Sequence, residues 1–225
     1  MTTLIYPVIH QMTQTLSLYQ AEVAVDCGAD GVFLISHNGK NMSLLPVARK
    51  IKHKYPQIKV GINLLGHDVM DTIDLGMEYF LDMVWFDDCG VTSRGLDSVG
   101  QQVRLWKEAH SNEVDLSFDI FASVAFKYQE PEPNPDLAAS IALDSGFIPT
   151  TSGSGTGSPP ELSKIISMSH HSKGQLAVAS GMTPDNVAEF APYLSHILVS
   201  TGVSSDFHRV NSQLLKKFVD IAKNN

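Results

Sequence analysis

Cysteine is scarce in this chain: two residues, Cys27 and Cys89, among 225. Their spacing fits neither a zinc ligand pair nor a disulfide framework. Basic residues are also in deficit, 16 Lys and Arg against 24 Asp and Glu, which gives a net charge of -8 and a pI near 5.5. That balance argues against a general nucleic-acid or anionic-membrane binder, because such proteins need a basic surface to release counterions. A local basic pocket for one phosphate remains compatible with it. Nothing in the composition points to a membrane span or to disorder. Met1-Thr2-Thr3-Leu4 lacks the basic, apolar and small-residue order of a signal peptide, so a reducing cytoplasm is the expected compartment. Three catalytic signatures are missing too. There is no G-x-S-x-G elbow, no H-E-x-x-H helix and no G-x-x-x-x-G-K-[ST] loop, since no lysine follows Gly157.

What the chain does have is alternation. Short β-branched apolar runs at 4–9, 31–35, 59–63, 83–86, 115–120, 147–150, 175–179 and 196–200 are separated by segments with helical apolar periodicity, such as Leu44, Leu45, Val47, Ala48 and Ile51. Eight strand–helix units with right-handed crossovers close naturally into a parallel (β/α)8 TIM barrel, here one domain over residues 1–225. A doubly wound open sheet is the competitor.

Two Gly-containing turns share a construction: 150–160, ending Gly157-Ser158-Pro159-Pro160-Glu161, and 179–186, Ser180-Gly181-Met182-Thr183-Pro184. Each follows a strand and enters a helix through Ser or Thr followed by Pro, with Ser158 as N-cap and Glu161 completing a capping box in the first. Helix starts expose unpaired N–H groups and partial positive charge, and glycine lets a phosphate approach the backbone. A third turn, Ser200-Thr201-Gly202, follows Ile197-Leu198-Val199. Any one of these reads as an ordinary βα turn; in succession at the end of a barrel they point to phosphate. The candidate ligand residues are Asn63, Ser152, Gly153, Gly155, Thr156, Gly157, Ser180, Gly181, Met182, Ser200, Thr201 and Gly202.

A barrel's chemistry sits at the C-terminal ends of its strands. The titratable residues assigned there are His10, His37, His67, Asp87, Asp119 and Lys127, with Lys127 the expected partner of Asp119 and Asp87 favoured over Asp88 to face inward. The loops 87–95 and 127–134 are long, and the second reads as a lid or as a stiff solvated connection. No cofactor is expected. A divalent metal on the histidines with Asp87 or Asp119 is chemically reasonable but has no motif behind it. Cys27 reads as a core residue near a helix end, and Cys89 as a candidate for the mouth.

The stretches Thr151-Ser152-Gly153-Ser154-Gly155-Thr156-Gly157-Ser158-Pro159-Pro160-Glu161-Leu162 and Ser180-Gly181-Met182-Thr183-Pro184-Asp185-Asn186-Val187-Ala188-Glu189 resemble the BtpA/SgcQ family. So, more diffusely, do Gly28-Ala29-Asp30-Gly31-Val32, Val60-Gly61-Ile62-Asn63-Leu64-Leu65 and Phe118-Asp119-Ile120-Phe121. The resemblance implies a ribulose-phosphate-binding type of barrel, related in layout to phosphoribosylanthranilate isomerase, with phosphate on the last βα loops. The chain departs from the family's pattern at Ser36-His37-Asn38-Gly39, Leu65-Gly66-His67-Asp68 and Trp85-Phe86-Asp87, all at the mouth, which implies a divergent ligand. Likeness to the isomerase would ask for a cysteine at the end of the first strand, where His10-Gln11 stands.

The resulting expectation is an enzyme, an isomerase, lyase or hydrolase, that acts on a phosphorylated ribose or nucleotide-like molecule by acid/base chemistry. A non-catalytic phosphate-ligand-binding or assembly protein is the alternative. A homodimer is compatible with the fold class, without a face to assign.

Overall fold

The barrel strands of this chain are covered on both sides, by helices outside and by barrel side chains inside, so their segments read as continuous apolar runs; Gly31–Ile35 is buried at all five positions. The structure is a computed structural model that describes residues 2–110 and 117–224. Its parallel strands are β1 (Leu4–His10), β2 (Gly31–Ile35), β3 (Lys59–Asn63), β4 (Met83–Phe86), β5 (Asp119–Ser123), β6 (Ile148–Thr151), β7 (Ala177–Ala179) and β8 (His196–Val199). They pair in chain order, and β1 bonds both β2 and β8, which closes the sheet. The open-sheet competitor is thereby excluded, and the fold is a (β/α)8 barrel.

Around it lie α1 (Gln14–Asp26), α2 (Leu44–Lys54), α3 (Val69–Glu78), α4 (Ser98–His110), α5 (Pro135–Asp144), α6 (Leu162–His171), α7 (Val187–Phe190) and α8 (Ser212–Lys223). Thr13, Asp68, Asn134 and Asn211 cap α1, α3, α5 and α8 by accepting first-turn N–H groups.

Three expectations shift. The fifth strand starts at Asp119, four residues beyond the expected 115, and residues 115 and 116 lie outside the described residues; Phe118 packs instead into the layer between strands and helices. Helix α6 starts at Leu162 with Glu161 at its N-cap and no side-chain cap, so Ser158 and Pro159 belong to the preceding loop. Helix α7 is only four residues long.

The side chains pointing into the barrel alternate along each strand: Tyr6 and Val8, Phe33 and Ile35, Met83 and Trp85, Ala177 and Ala179. Phe33 and Phe121 meet edge to face with centroids 5.2 Å apart, and Trp85 donates to Ser123 Oγ at 3.0 Å. Gly61 makes room for this packing, because a Cβ there would lie 2.5 Å from the Phe33 ring.

Candidate functional site

Alternation carries the inward face of β4 from Trp85 to Asp87 one residue past the strand end. Asp87 lines a cavity of about 330 Å3 at the C-terminal mouth, and Asn63 at the end of β3 donates to its Oδ1 at 3.0 Å. Asp88 turns away and accepts from Gly90 N–H within its own loop. The cavity floor is apolar, formed by Val8, Ile35, Leu65, Trp85, Ala179 and Leu198. Hydroxyls line one side, from Thr156, Ser180, Ser200 and Thr201; Asp87, Lys127, His10 and His37 supply the titratable groups.

His10 and His37, at the ends of β1 and β2, stack with ring centroids 5.0 Å apart. Phe207 covers them at 4.3 Å from His10 and 5.5 Å from His37. It is carried by the hairpin Ser204–Asp206 and Arg209–Val210, which follows the turn after β8. Phe207 and Tyr128 are the site residues that sequence reasoning missed. The available signal was an aromatic side chain isolated in a polar, charged turn beside a barrel mouth.

The loop after β5 brings Lys127 to the cavity. Its backbone N–H bonds Ser152 Oγ at 2.8 Å, and Gln129 Nε2 reaches Asp87 O at 2.7 Å and Ser123 O at 3.1 Å. Glu132 accepts from Ser93 N–H at 3.1 Å, so the segment 127–134 is a pinned connection and not a free lid. Ala125, Tyr128 and Ser180 hold positive φ of 48°, 67° and 113°, a costly conformation for non-glycine residues, and all three border this mouth.

Burial governs the charges here. It pushes His10 down to about 4, helped by His37, His208 and Lys127, and pushes His37 down against the opposing pull of Asp87. Both imidazoles are neutral at pH 7, and His10 Nδ1 is buried with no hydrogen-bond partner among the described residues. Burial likewise lowers the Lys127 ammonium, opposed by Asp87 and Tyr128.

Several expected site residues lie elsewhere. Asp119 is the first residue of β5, at the opposite, N-terminal end of the barrel, and its partner is Lys59, not Lys127. The physical reason is register: strand pairing sets Asp119 beside Met83, the first residue of β4. His67 sits in the turn before α3, its N–H bonded to Leu64 O at 3.0 Å, and does not line the cavity. Cys89 is fully buried in the outer layer, where burial pushes its thiol up to about 12, and Met182 is buried in that layer too. Cys27 is the core residue expected near a helix end, with its Sγ 3.4 Å from Ser212 O. Among the described residues, no group of three or more His, Cys, Asp or Glu side chains is arranged to hold a metal ion.

Glycine in the last loops serves loop packing. A Cβ on Gly153 would lie 2.2 Å from Ser158 O, on Gly181 2.3 Å from Pro159 Cα, and on Gly202 2.0 Å from Met182 O. Gly181 also needs its φ of +77°. Gly157 N–H donates to Ser180 Oγ at 2.9 Å, which ties the turn after β6 to the turn after β7. Beside Gly155 there is open space. The three turns thus form one contiguous wall of the mouth.

No family model and no curated protein matches this chain. Solved structures do. Phosphoribosyl anthranilate isomerase from Thermus thermophilus aligns with a TM-score of 0.67 at 14% identity, over 97% of this chain and 98% of that one. KGPDC from Streptococcus mutans aligns with a TM-score of 0.68 at 14% identity, over 100% and 99%. The isomerase from Pyrococcus furiosus aligns with a TM-score of 0.65 at 17% identity, over 99% and 100%. At these identities the likeness is one of fold. Among the described residues, no helix is long and apolar enough to cross a membrane.

Proposed function

We propose that this protein is an enzyme acting on a phosphorylated small molecule, of ribose or nucleotide-like size, bound in the barrel mouth. One observation carries the reading: the cavity is polar in two different ways on two sides. Hydroxyls of Thr156, Ser180, Ser200 and Thr201, on the tied turns after β6, β7 and β8, suit phosphate oxygens; Asp87, Lys127, His10 and His37 face the remainder of the ligand. A volume of about 330 Å3 suits a small sugar phosphate.

The fold neighbours support the substrate class. One isomerase structure holds reduced 1-(o-carboxyphenylamino)-1-deoxyribulose 5-phosphate, and covers 99% of this chain at 15% identity. The isomerase reaction itself is disfavoured, because His10 stands where that reading asks for a cysteine and both cysteines are buried away from the mouth. Kinship with the BtpA/SgcQ family remains part of the proposal and rests on the segments 151–162 and 180–189.

Asp87 is the proton-handling group of choice. It is exposed to the cavity and held by Asn63, while His10 and His37 are neutral hydrogen-bonding walls. The test is a thermal-shift screen of the purified protein against inorganic phosphate, ribose phosphates, nucleotides, ADP-ribose and phosphoribosyl pyrophosphate, with and without divalent metals, then mass spectrometry of each stabilising compound. A shift with turnover is expected. A shift without turnover would favour the non-catalytic binder, and no shift with any phosphate ester would sink the phosphate reading.

A further inference from the structure

Three lysines of this chain are held below the usual lysine range by burial: Lys107, Lys127 and Lys164. Two are structural. Lys107 Nζ donates to Phe118 O at 2.7 Å, and Lys164 Nζ donates to Ala125 O at 2.7 Å and Ser152 O at 3.0 Å. Lys127 is different. Among the described residues its Nζ makes no hydrogen bond and no ion pair; its contact is the Phe126 ring, 5.4 Å away at the centroid, and it lines the mouth cavity with Asp87. Its backbone is fixed by the bond from its N–H to Ser152 Oγ, between the positive-φ residues Ala125 and Tyr128. A desolvated amine without a hydrogen-bond partner, on a fixed backbone and facing a cavity, is the arrangement that makes lysine a nucleophile; Asp87 opposes the lowering and is there as a proton acceptor.

We propose that Lys127 forms an imine with the carbonyl carbon of an aldehyde or ketone phosphate bound in the mouth; this rests on the phosphate reading above and narrows its substrate class to carbonyl compounds. The neutral amine's lone pair adds to the carbonyl carbon, and the C=O π pair moves to oxygen, which takes a proton. The nitrogen gives up its protons to Asp87 or solvent, and the hydroxyl leaves as water as the C=N bond forms. Nothing is oxidised or reduced. Asp87, on the far side of the Asn63 hydrogen bond, is available to carry the proton between nitrogen and departing water.

The experiment uses the full chain with two probes. Glycerol 3-phosphate, which has no carbonyl, reports the anion site by calorimetry; glyceraldehyde 3-phosphate with sodium borohydride reports the imine, which hydride reduces to a stable secondary amine located by peptide mass spectrometry. The expected result is binding of the first probe and one dominant adduct from the second, at Lys127 and not at the exposed Lys40 or Lys50. Lys127→Arg should lose the adduct, whereas Lys50→Arg should keep both the adduct and glycerol 3-phosphate binding. Glycerol 3-phosphate binding without an adduct, or adducts spread evenly over surface lysines, overturns the imine and leaves the phosphate reading standing. Failure of both probes overturns both. Should Lys127→Arg fail to fold, competition settles the matter in the native chain: glycerol 3-phosphate must suppress the Lys127 adduct, and an adduct indifferent to it counts against the proposal.

Discussion

The two ends of this barrel treat their polar and charged groups in opposite ways. At the N-terminal end three carboxylates, those of Asp30, Asp82 and Asp119, are matched. Asp30 accepts Ile5 N–H at 2.8 Å and pairs with Lys223 at 2.8 Å; Asp82 accepts Val60 N–H at 2.7 Å and pairs with Lys52 at 2.7 Å; Asp119 pairs with Lys59. The device repeats: an Asp just before a strand satisfies a neighbouring strand's N–H and takes a lysine from a helix or strand. At the mouth, by contrast, Lys127 lines a cavity with no hydrogen bond or ion pair to its Nζ, and His10 Nδ1 is buried beside it without a partner, among the described residues. Unmatched polar groups in a half-buried site cost stability unless a ligand completes them. The paired end is complete within the fold, and the unpaired end leaves polar groups that the ligand of the proposed function would complete.

That contrast can be broken at either end. The largest effect is expected at the mouth: Asp87→Asn should cut turnover of any phosphate ester found to be converted by at least about 100-fold, the lower range for a lost acid/base group, with little change in Tm. A fall in Tm with turnover preserved would reverse the assignment of the two ends.

Next comes pH. His196 at the start of β8 is pushed down to about 4 by burial, with Asp119, Lys59 and Asp30 as charged neighbours and the Tyr6 ring 5.6 Å away. Between about pH 6.5 and 4 the unfolded chain takes up a proton that folded His196 refuses. Its contribution is thus complete above the ordinary histidine pKa and declines as pH falls through that window, by about 3 kcal/mol in all. Urea titrations of wild type and His196→Gln from pH 7 to 4 should show a shallower decline in the variant; identical slopes would refute it.

Asp119→Asn comes third. Lys59 and Asp119 are 35% and 22% exposed, so solvent already screens the pair, and loss of about 1–2 kcal/mol of stability is expected, with probe binding at the mouth unchanged. Weakened binding would return Asp119 to the site. The smallest effect belongs to Phe207→Ala, which should weaken binding of the best phosphate ester about five-fold, or 1 kcal/mol, through loss of the ring over His10 and His37, and leave Tm nearly unchanged. An unaltered Kd would show that Phe207 merely covers the histidines.

How far the residues themselves announced this arrangement differs between fold and site. Strands β2, β3 and β4 run between the bounds read from the sequence, because an apolar run flanked by polar turn residues has few other places to start and stop. Asp87 was legible for the same reason: alternation from Trp85 decides its face without any knowledge of the rest. Asp119 was not. A polar residue within an apolar run reads alike at either end of a barrel, and the end is fixed by register, which pairs it with Met83 of β4.

The sequence by itself determined the barrel, its eight units and the presence of a hydroxyl- and glycine-rich set of last loops, since periodicity and turn chemistry are local properties. Tertiary structure alone decided which groups meet: Lys59 with Asp119, Phe207 over His10 and His37, Gly181 and Gly202 against neighbouring loops, and Lys127 unpaired beside Asp87. Those contacts join residues far apart in the chain, and their distances follow from barrel closure and loop packing, which no local pattern encodes.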